Sequence, residues 1–285
     1  MSKLIQFQTA ASRYDGAFGG YVGWPAAGMG YIITTDSGSL IVVDGGNAED
    51  AAELVETLCR VSVGTPTVEH WIITHPHGDH YFALREICRT PELISKIKVK
   101  EFIYHFPENF LTNEGTHICA GALADMEDIS RAFGADIRKP KLNEQIFCDG
   151  IELRFIYTPD DCSIFKGQSN ANVCSLIFTV SGQHKKVMFT GDAFRRSLLL
   201  TAWRFGNELK CDILQLPHHG LCDTGVMDFY KYANAPTVLV PISKAGHRSM
   251  HSGEHSEKDT EANLWAEANA EAVYNAFDGT VELDI

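Results

Sequence analysis

Four residues that can ligate a metal fall within six positions of this chain: His75, His77, Asp79 and His80, in the segment Thr74-His75-Pro76-His77-Gly78-Asp79-His80. Imidazole nitrogen and carboxylate oxygen suit zinc and neighbouring first-row ions. The segment follows the apolar residues Ile72-Ile73. A strand would send alternate side chains to opposite faces, and a helix would fan them out. A tight loop, permitted by Pro76 and Gly78, would converge them on one point. Three more chemically capable sites end apolar runs in the same way. They are Asp44 after Leu40-Ile41-Val42-Val43, Asp192 in Phe189-Thr190-Gly191-Asp192-Ala193, and the doublet in Leu216-Pro217-His218-His219-Gly220.

The surrounding pattern reads as strand, loop and helix in turn. Residues 30–35 and 40–43 flank Asp36-Ser37-Gly38 as a hairpin, and Asn47 can cap a helix through Leu54, Val55 and Leu58. A strand at 68–74 leads into the histidine cluster, with a helix expected from 81 to 89. A further strand is expected within 96–105 and a helix at 120–133. After Pro140 come short strands at 152–157, 174–180, 186–190, 211–216 and 237–241. A helix at 259–268 and a closing strand pair within 272–285 complete the reading. With no linker or repeat in evidence, residues 1–285 are expected to form a single domain.

The chain has 285 residues, 45% hydrophobic and 21% charged, which is globular composition. Its 24 Lys+Arg against 37 Asp+Glu give a net charge of −13, which argues against a generic nucleic-acid clamp. Eight cysteines show no C-x-x-C spacing and read as free thiols of a reducing compartment. No stretch approaches the ~18 apolar residues of a membrane span. A soluble, cytoplasmic protein without a membrane partner is therefore expected. The glycine-rich stretch 15–30 lacks dinucleotide-loop spacing and reads as a loop presenting Tyr21 and Trp24 to a pocket.

H-x-H-x-D-H after a strand, together with Asp44, Gly191-Asp192 and His218-His219-Gly220 in this order, resembles the metallo-β-lactamase superfamily. The resemblance runs from about residue 28 onward. It implies an α/β fold, the four-layer αββα sandwich, and two divalent metal ions, zinc first, with manganese or iron as alternatives. In that resemblance His75 and His77 bind the first metal, Asp79 and His80 the second, and Asp192 bridges both. His219 completes the second site, and His218 contacts substrate or stabilises developing charge, an order that could be reversed. Asp44 would hydrogen-bond a ligating imidazole. Asp79 and His218 are the residues expected to act in the reaction itself.

Most members place a third histidine of the first metal near Tyr157-Thr158-Pro159, where this chain reads Asp160-Asp161-Cys162. The segment Asn172-Val173-Cys174-Ser175-Leu176, the His-His-Gly triplet and Gly246-His247 are similar to one branch of the superfamily. That branch contains the hydrolase domain of bacterial DNA-uptake competence proteins and related phosphodiesterases. The resemblance implies substrate contacts from Asn172, Lys244 and His247, with Arg248 adding charge.

Two divalent ions about 3.5–4 Å apart would share a bridging hydroxide and stabilise charge on attacking and leaving oxygens. The expected activity is a binuclear metal-dependent hydrolase, a phosphodiesterase acting on a small-molecule or single-stranded nucleic-acid-like substrate. The alternatives are a carboxylic ester, thioester, lactone or amide hydrolase, and a metal-binding sensor without turnover. Cations beside the metals would favour phosphate, whereas an apolar wall of Tyr21, Trp24 and Phe194 would favour acyl substrates. Cys222 reads as inert, and His105, His117 and His184 as core or surface residues. His251 and His255 read as solvated, and the stretch 106–140, with Glu108, Asn109 and Phe110, as a cover over the site.

Overall fold

Leu40, Ile41, Val42 and Val43 are all buried because their strand lies between a helical layer and a second sheet. Strands covered on both faces read as continuous apolar runs. The computed structural model describes residues 2–16, 28–107, 121–160, 171–221, 223–252 and 257–285. Tyr21, Trp24, Glu108, Asn109, Phe110, His117, Asp161, Cys162, Cys222 and His255 lie outside the described residues.

The first sheet runs, in spatial order, β14 (Val281–Asp284), β1 (Lys3–Gln6), β2 (Gly30–Thr34), β3 (Leu40–Asp44), β4 (Thr67–Ile72), β5 (Lys98–Ile103) and β6 (Asp136–Arg138). The second runs β13 (Ala272–Asn275), β12 (Thr237–Val240), β11 (Ile213–Gln215), β10 (Lys186–Phe189), β9 (Ile177–Ser181), β8 (Ile151–Tyr157) and β7 (Gln145–Cys148). The two sheets share one plan. Antiparallel neighbours lead from β14 to β3 and from β7 to β10, and three parallel strands follow in each. β3 therefore corresponds to β10, and β4 to β11, although the sequence carries no visible repeat.

Ile41, Val43, Tyr31 and Ile72 meet Phe155, Phe178, Phe189 and Ile213 between the sheets. On the outer face of the first sheet, Leu40, Val42 and Trp71 pack on α1 (Ala51–Val61), α2 (Gly78–Arg89) and α4 (Ala122–Phe133), with the single-turn α3 (Pro91–Ile94) following α2. Outside the second sheet lie α5 (Arg195–Phe205), α6 (Met227–Ala233), α7 (Lys244–Met250) and α8 (Glu257–Asn269). The layers are helix, sheet, sheet, helix: the expected αββα sandwich. No helix among the described residues is long and apolar enough to cross a membrane.

Two local expectations are corrected, and one unassigned segment proves helical. The helix expected from residue 81 begins at Gly78, so Asp79 and His80 sit in its first turn rather than on a loop. An acidic residue is favourable there against the helix dipole. Residues 243–248, which the sequence reading gave to substrate contacts without assigning an element, form the start of α7, capped where Ser243 Oγ accepts from the Gly246 amide at 3.0 Å. The closing strands do not pair with each other: β13 joins β12 and β14 joins β1. Ile285, beyond β14, is fully buried between the sheets, and its amide donates to the Ser2 carbonyl at 3.0 Å. Ile285→Ala should cost about 2–5 kcal/mol of unfolding free energy, read from urea denaturation midpoints.

Candidate metal centre

Asp44 ends β3 with a left-handed backbone, φ +55°, and its carboxylate is fully buried. One oxygen accepts from the Thr74 amide at 2.8 Å. The other accepts from the Thr74 hydroxyl and from His80 Nδ1, each at 2.8 Å. Because that hydroxyl donates to Asp44, its lone pair faces His75 Nδ1 at 3.1 Å. A single carboxylate thereby directs Nδ1–H of two imidazoles, one directly and one through Thr74, and leaves both Nε2 lone pairs turned the other way. The Trp71 indole donates to the Asp44 carbonyl at 2.8 Å and fixes the turn from beneath.

His75 Nε2 and His77 Nδ1 face each other at 3.0 Å. Two nitrogen–zinc bonds of about 2.0–2.1 Å, meeting at right to tetrahedral angles, separate their nitrogens by about 2.9–3.4 Å. On the other side His219 Nε2 lies 3.2 Å from Asp79 Oδ2 and 3.3 Å from Asp192 Oδ1, and His80 Nε2 lies 3.3 Å from the same Asp192 oxygen. Asp192 Oδ2 approaches His75 Nε2 at 3.7 Å. The donor atoms form two groups, His75–His77–Asp192 and Asp79–His80–Asp192–His219, each within 4.8 Å. His80 Nε2, His219 Nε2 and Asp192 Oδ1 are buried without a hydrogen-bond partner. Orphaned polar atoms of this kind are rare in folded proteins, and here they converge. The residues fit two divalent ions.

The second sheet supplies its donors through strained turns. Gly191 has φ +51°, and a Cβ there would fall 2.8 Å from Thr74 Cβ, so the two strand ends touch only because this residue is glycine. Asp192 is held by its amide donating to Ser175 Oγ at 3.0 Å. Gln215 ties the ends of β10 and β11 together, accepting from the Thr190 amide at 2.8 Å and donating to the Gly191 carbonyl at 3.1 Å. His218 and His219 both have positive φ, +50° and +56°. His219 Nδ1 donates to the Pro241 carbonyl at 2.8 Å, which aims its Nε2 at the carboxylates. Of the doublet, His219 therefore joins the donor group, while His218 packs edge-on against Phe194 at 5.1 Å.

Charge follows this geometry. Burial lowers the pKa of His75 and His77. Burial pushes His80 and His219 the same way, but the surrounding carboxylates outweigh it. His80 lies well above its ordinary value, and His219 is pushed up to about 9, chiefly by Asp192. Burial would raise Asp79 and Asp192, yet the neighbouring imidazoles hold both well below the usual carboxylate range. Burial raises Asp44.

The remaining expected contacts are engaged by other residues of the chain. Lys244 and Arg248 pair with Asp15 at 3.1 and 2.6 Å, and His247 Nε2 faces Glu267 at 3.3 Å. His251, read as solvated, also meets Glu267. Asn172 is buried in the turn before β9, its carbonyl accepting from the Ser175 amide at 3.0 Å. His105 is buried at the end of β5, 3.4 Å from Asp160. Sequence reasoning missed Thr74, Gln215 and Pro241, and it read Ser175 only as part of the Asn172–Leu176 motif, without its bond to Asp192. Of the three missed residues, Thr74 alone carried a signal, as the residue directly before the histidine cluster.

A family model described as the Metallo-beta-lactamase superfamily matches residues 24–119. Solved structures extend the likeness across the molecule. YhfI, a metallo-beta-lactamase fold protein from Bacillus subtilis, is 13% identical with a TM-score of 0.54, over 99% of this chain and 100% of that one. The chain has the metallo-β-lactamase fold. Zn(2+)-bound PqqB from Methylobacterium extorquens shares it at 10% identity and TM-score 0.54, over 100% of both chains. CmlA, a diiron beta-hydroxylase from Streptomyces venezuelae, shares it at 11% identity and TM-score 0.53, over 99% of this chain and 54% of that one. The search of curated proteins finds no match. At such identities the likeness is one of fold, and the donor set of this metallo-β-lactamase fold rests on its own geometry.

Two outcomes follow from that geometry. Asp44→Asn should weaken zinc binding about 10–100-fold, measured by competition with a chelating dye. A metal must also displace the protons that His80 and His219 retain up to their raised pKa values. Apparent zinc affinity should therefore rise between pH 6.5 and about 9 and fall on acidification. A flat profile would remove His219 from the donor set.

Proposed function

We propose that the protein is a binuclear metal-dependent hydrolase, with zinc as the metal and a phosphodiester as the bond cleaved. The supporting observation is Asp192, which turns Oδ2 toward His75 and Oδ1 toward His80 and His219, one oxygen to each donor group. Divalent ions bound there would supply Lewis acidity and lower the pKa of water at the site. His75 and His77 would hold one ion, Asp79, His80 and His219 the other, and Asp192 both.

The chain's own groups set the rest of the chemistry. Asp79 is the more open carboxylate, 28% exposed against 3% for Asp192, which makes it the one that arriving water can reach. His218, on its strained turn beside Phe194, is placed to meet the substrate or the charge left on its departing oxygen. Asn172-x-x-Ser175 and His218-His219-Gly220 support the phosphodiester assignment through their likeness to the competence-protein branch, whereas His247 of Gly246-His247 turns to Glu267.

One observation favours acyl substrates instead: Lys244 and Arg248, the cations expected beside a phosphate, direct their charge to Asp15. A panel comprising a bis-aryl phosphate, an aryl ester, a thioester, a lactone and a β-lactam, after zinc or manganese loading, separates the two. Phosphodiester cleavage, abolished in Asp192→Ala, is the expected result. Acyl cleavage alone would overturn the bond assignment, and full metal loading without any turnover would overturn the hydrolase.

A further inference from the structure

A third group of donors lies on the outer helices. α7 continues one residue past Met250, since the His251 amide donates to the His247 carbonyl at 3.1 Å. His247 and His251 therefore stand at i and i+4 on one helical face, the spacing at which two imidazoles on a helix take a single ion. Their rings are 4.1 Å apart and inclined by only 31°. Glu267 arrives from α8, and its Oε2 lies 3.3 Å from His247 Nε2 and 3.2 Å from His251 Nε2. The three donor atoms lie within 4.8 Å of one another.

We propose that His247, His251 and Glu267 form a separate binding site for a divalent transition-metal ion, clamping α7 to α8. Two imidazole nitrogens and one carboxylate oxygen make a donor set that suits zinc and its first-row neighbours. Glu267 is only 11% exposed, so its charge needs a local counterpart. The cations of α7, Lys244 and Arg248, do not supply it, because both are engaged by Asp15. Without an ion, both imidazoles crowd Nε2–H onto one oxygen. A divalent ion takes both nitrogen lone pairs and the carboxylate together and supplies the missing positive charge. Phe277 packs edge-on against His247 at 5.2 Å, which holds that ring in place, while His251 is 40% exposed and gives the ion an entry route.

The site is independent of the hydrolase reading, sharing no donor with the Asp192 groups. Its role is mechanical. The segment entering α7 contains Pro241, whose carbonyl holds His219, so the clamp braces the far end of the element that orients that imidazole.

Zinc alone is the probe. Wild-type protein, His251→Gln, Glu267→Gln, His251→Cys and Asp192→Ala are dialysed against micromolar free zinc, and bound metal is counted by elemental analysis. Wild type should hold about one equivalent more than His251→Gln or Glu267→Gln, and His251→Cys should restore it. Asp192→Ala should lose metal from the buried centre yet keep this equivalent. A zinc anomalous-scattering peak between the three side chains is expected in crystals of wild type. Because His251 is exposed, the metal-free melting temperature of His251→Gln should match wild type, which separates loss of a ligand from loss of the fold. Equal zinc content in wild type and both Gln variants, with no anomalous peak, would overturn the site.

Discussion

The carboxylate of Asp44 is the constraint on which the rest of the centre depends. A buried charge must be met by hydrogen bonds, and here all of them come from β4 and the residues after it: the Thr74 amide, the Thr74 hydroxyl and His80. Those bonds decide how the chain leaves β4 and which nitrogens of His75 and His80 face inward. The donors of the second sheet then have a fixed target. Gly191 abuts Thr74 directly, so the position of Asp192 is referred to the same carboxylate.

The common plan of the two sheets explains why a site forms there at all. β3 and β10 end in Asp44 and Gly191-Asp192, and β4 and β11 end in the histidine cluster and the histidine doublet. Corresponding strand ends, face to face across the sandwich core, bring chemically similar side chains from both halves to one edge. Crevices at the carboxyl ends of parallel strands are recurrent places for ligand sites in open α/β sheets. The halves have diverged in use. The first buries its aspartate to orient imidazoles, whereas the second presents its aspartate to both donor groups.

Much of this was legible in the sequence for a simple reason. His75 to His80, Asp192 and His219 are polar residues placed directly after apolar runs, where a buried strand hands its chain to the surface. Thr74, Gln215 and Pro241 escaped, and the role of Ser175 within its motif was not read, because each works through a hydrogen bond to something distant in sequence, and two of them work through the backbone in part or whole. α7 escaped because Ser243-Lys244-Ala245-Gly246 has loop composition, and helix forms there through the Ser243 cap and the burial of Ala245 and Met250. β13 and β14 read as a hairpin because neighbours in sequence usually pair. Each instead completes the edge of a different sheet. α5 was obscured because Leu199 and Trp203 are exposed among its buried positions, which blurs the helical period.

The separation of β13 and β14 bears on how the molecule is made. The register of β1 with β14, Lys3 with Asp284, joins residues nearly a whole chain apart. β1, β2 and β3 are close in sequence and can associate early, but the outer edge of β1 has no neighbour until β14 arrives. An uncovered strand edge is an invitation to pair with another chain. Until β14 is in place the protein therefore carries an open seam along β1, and the strand that closes it comes from far along the sequence.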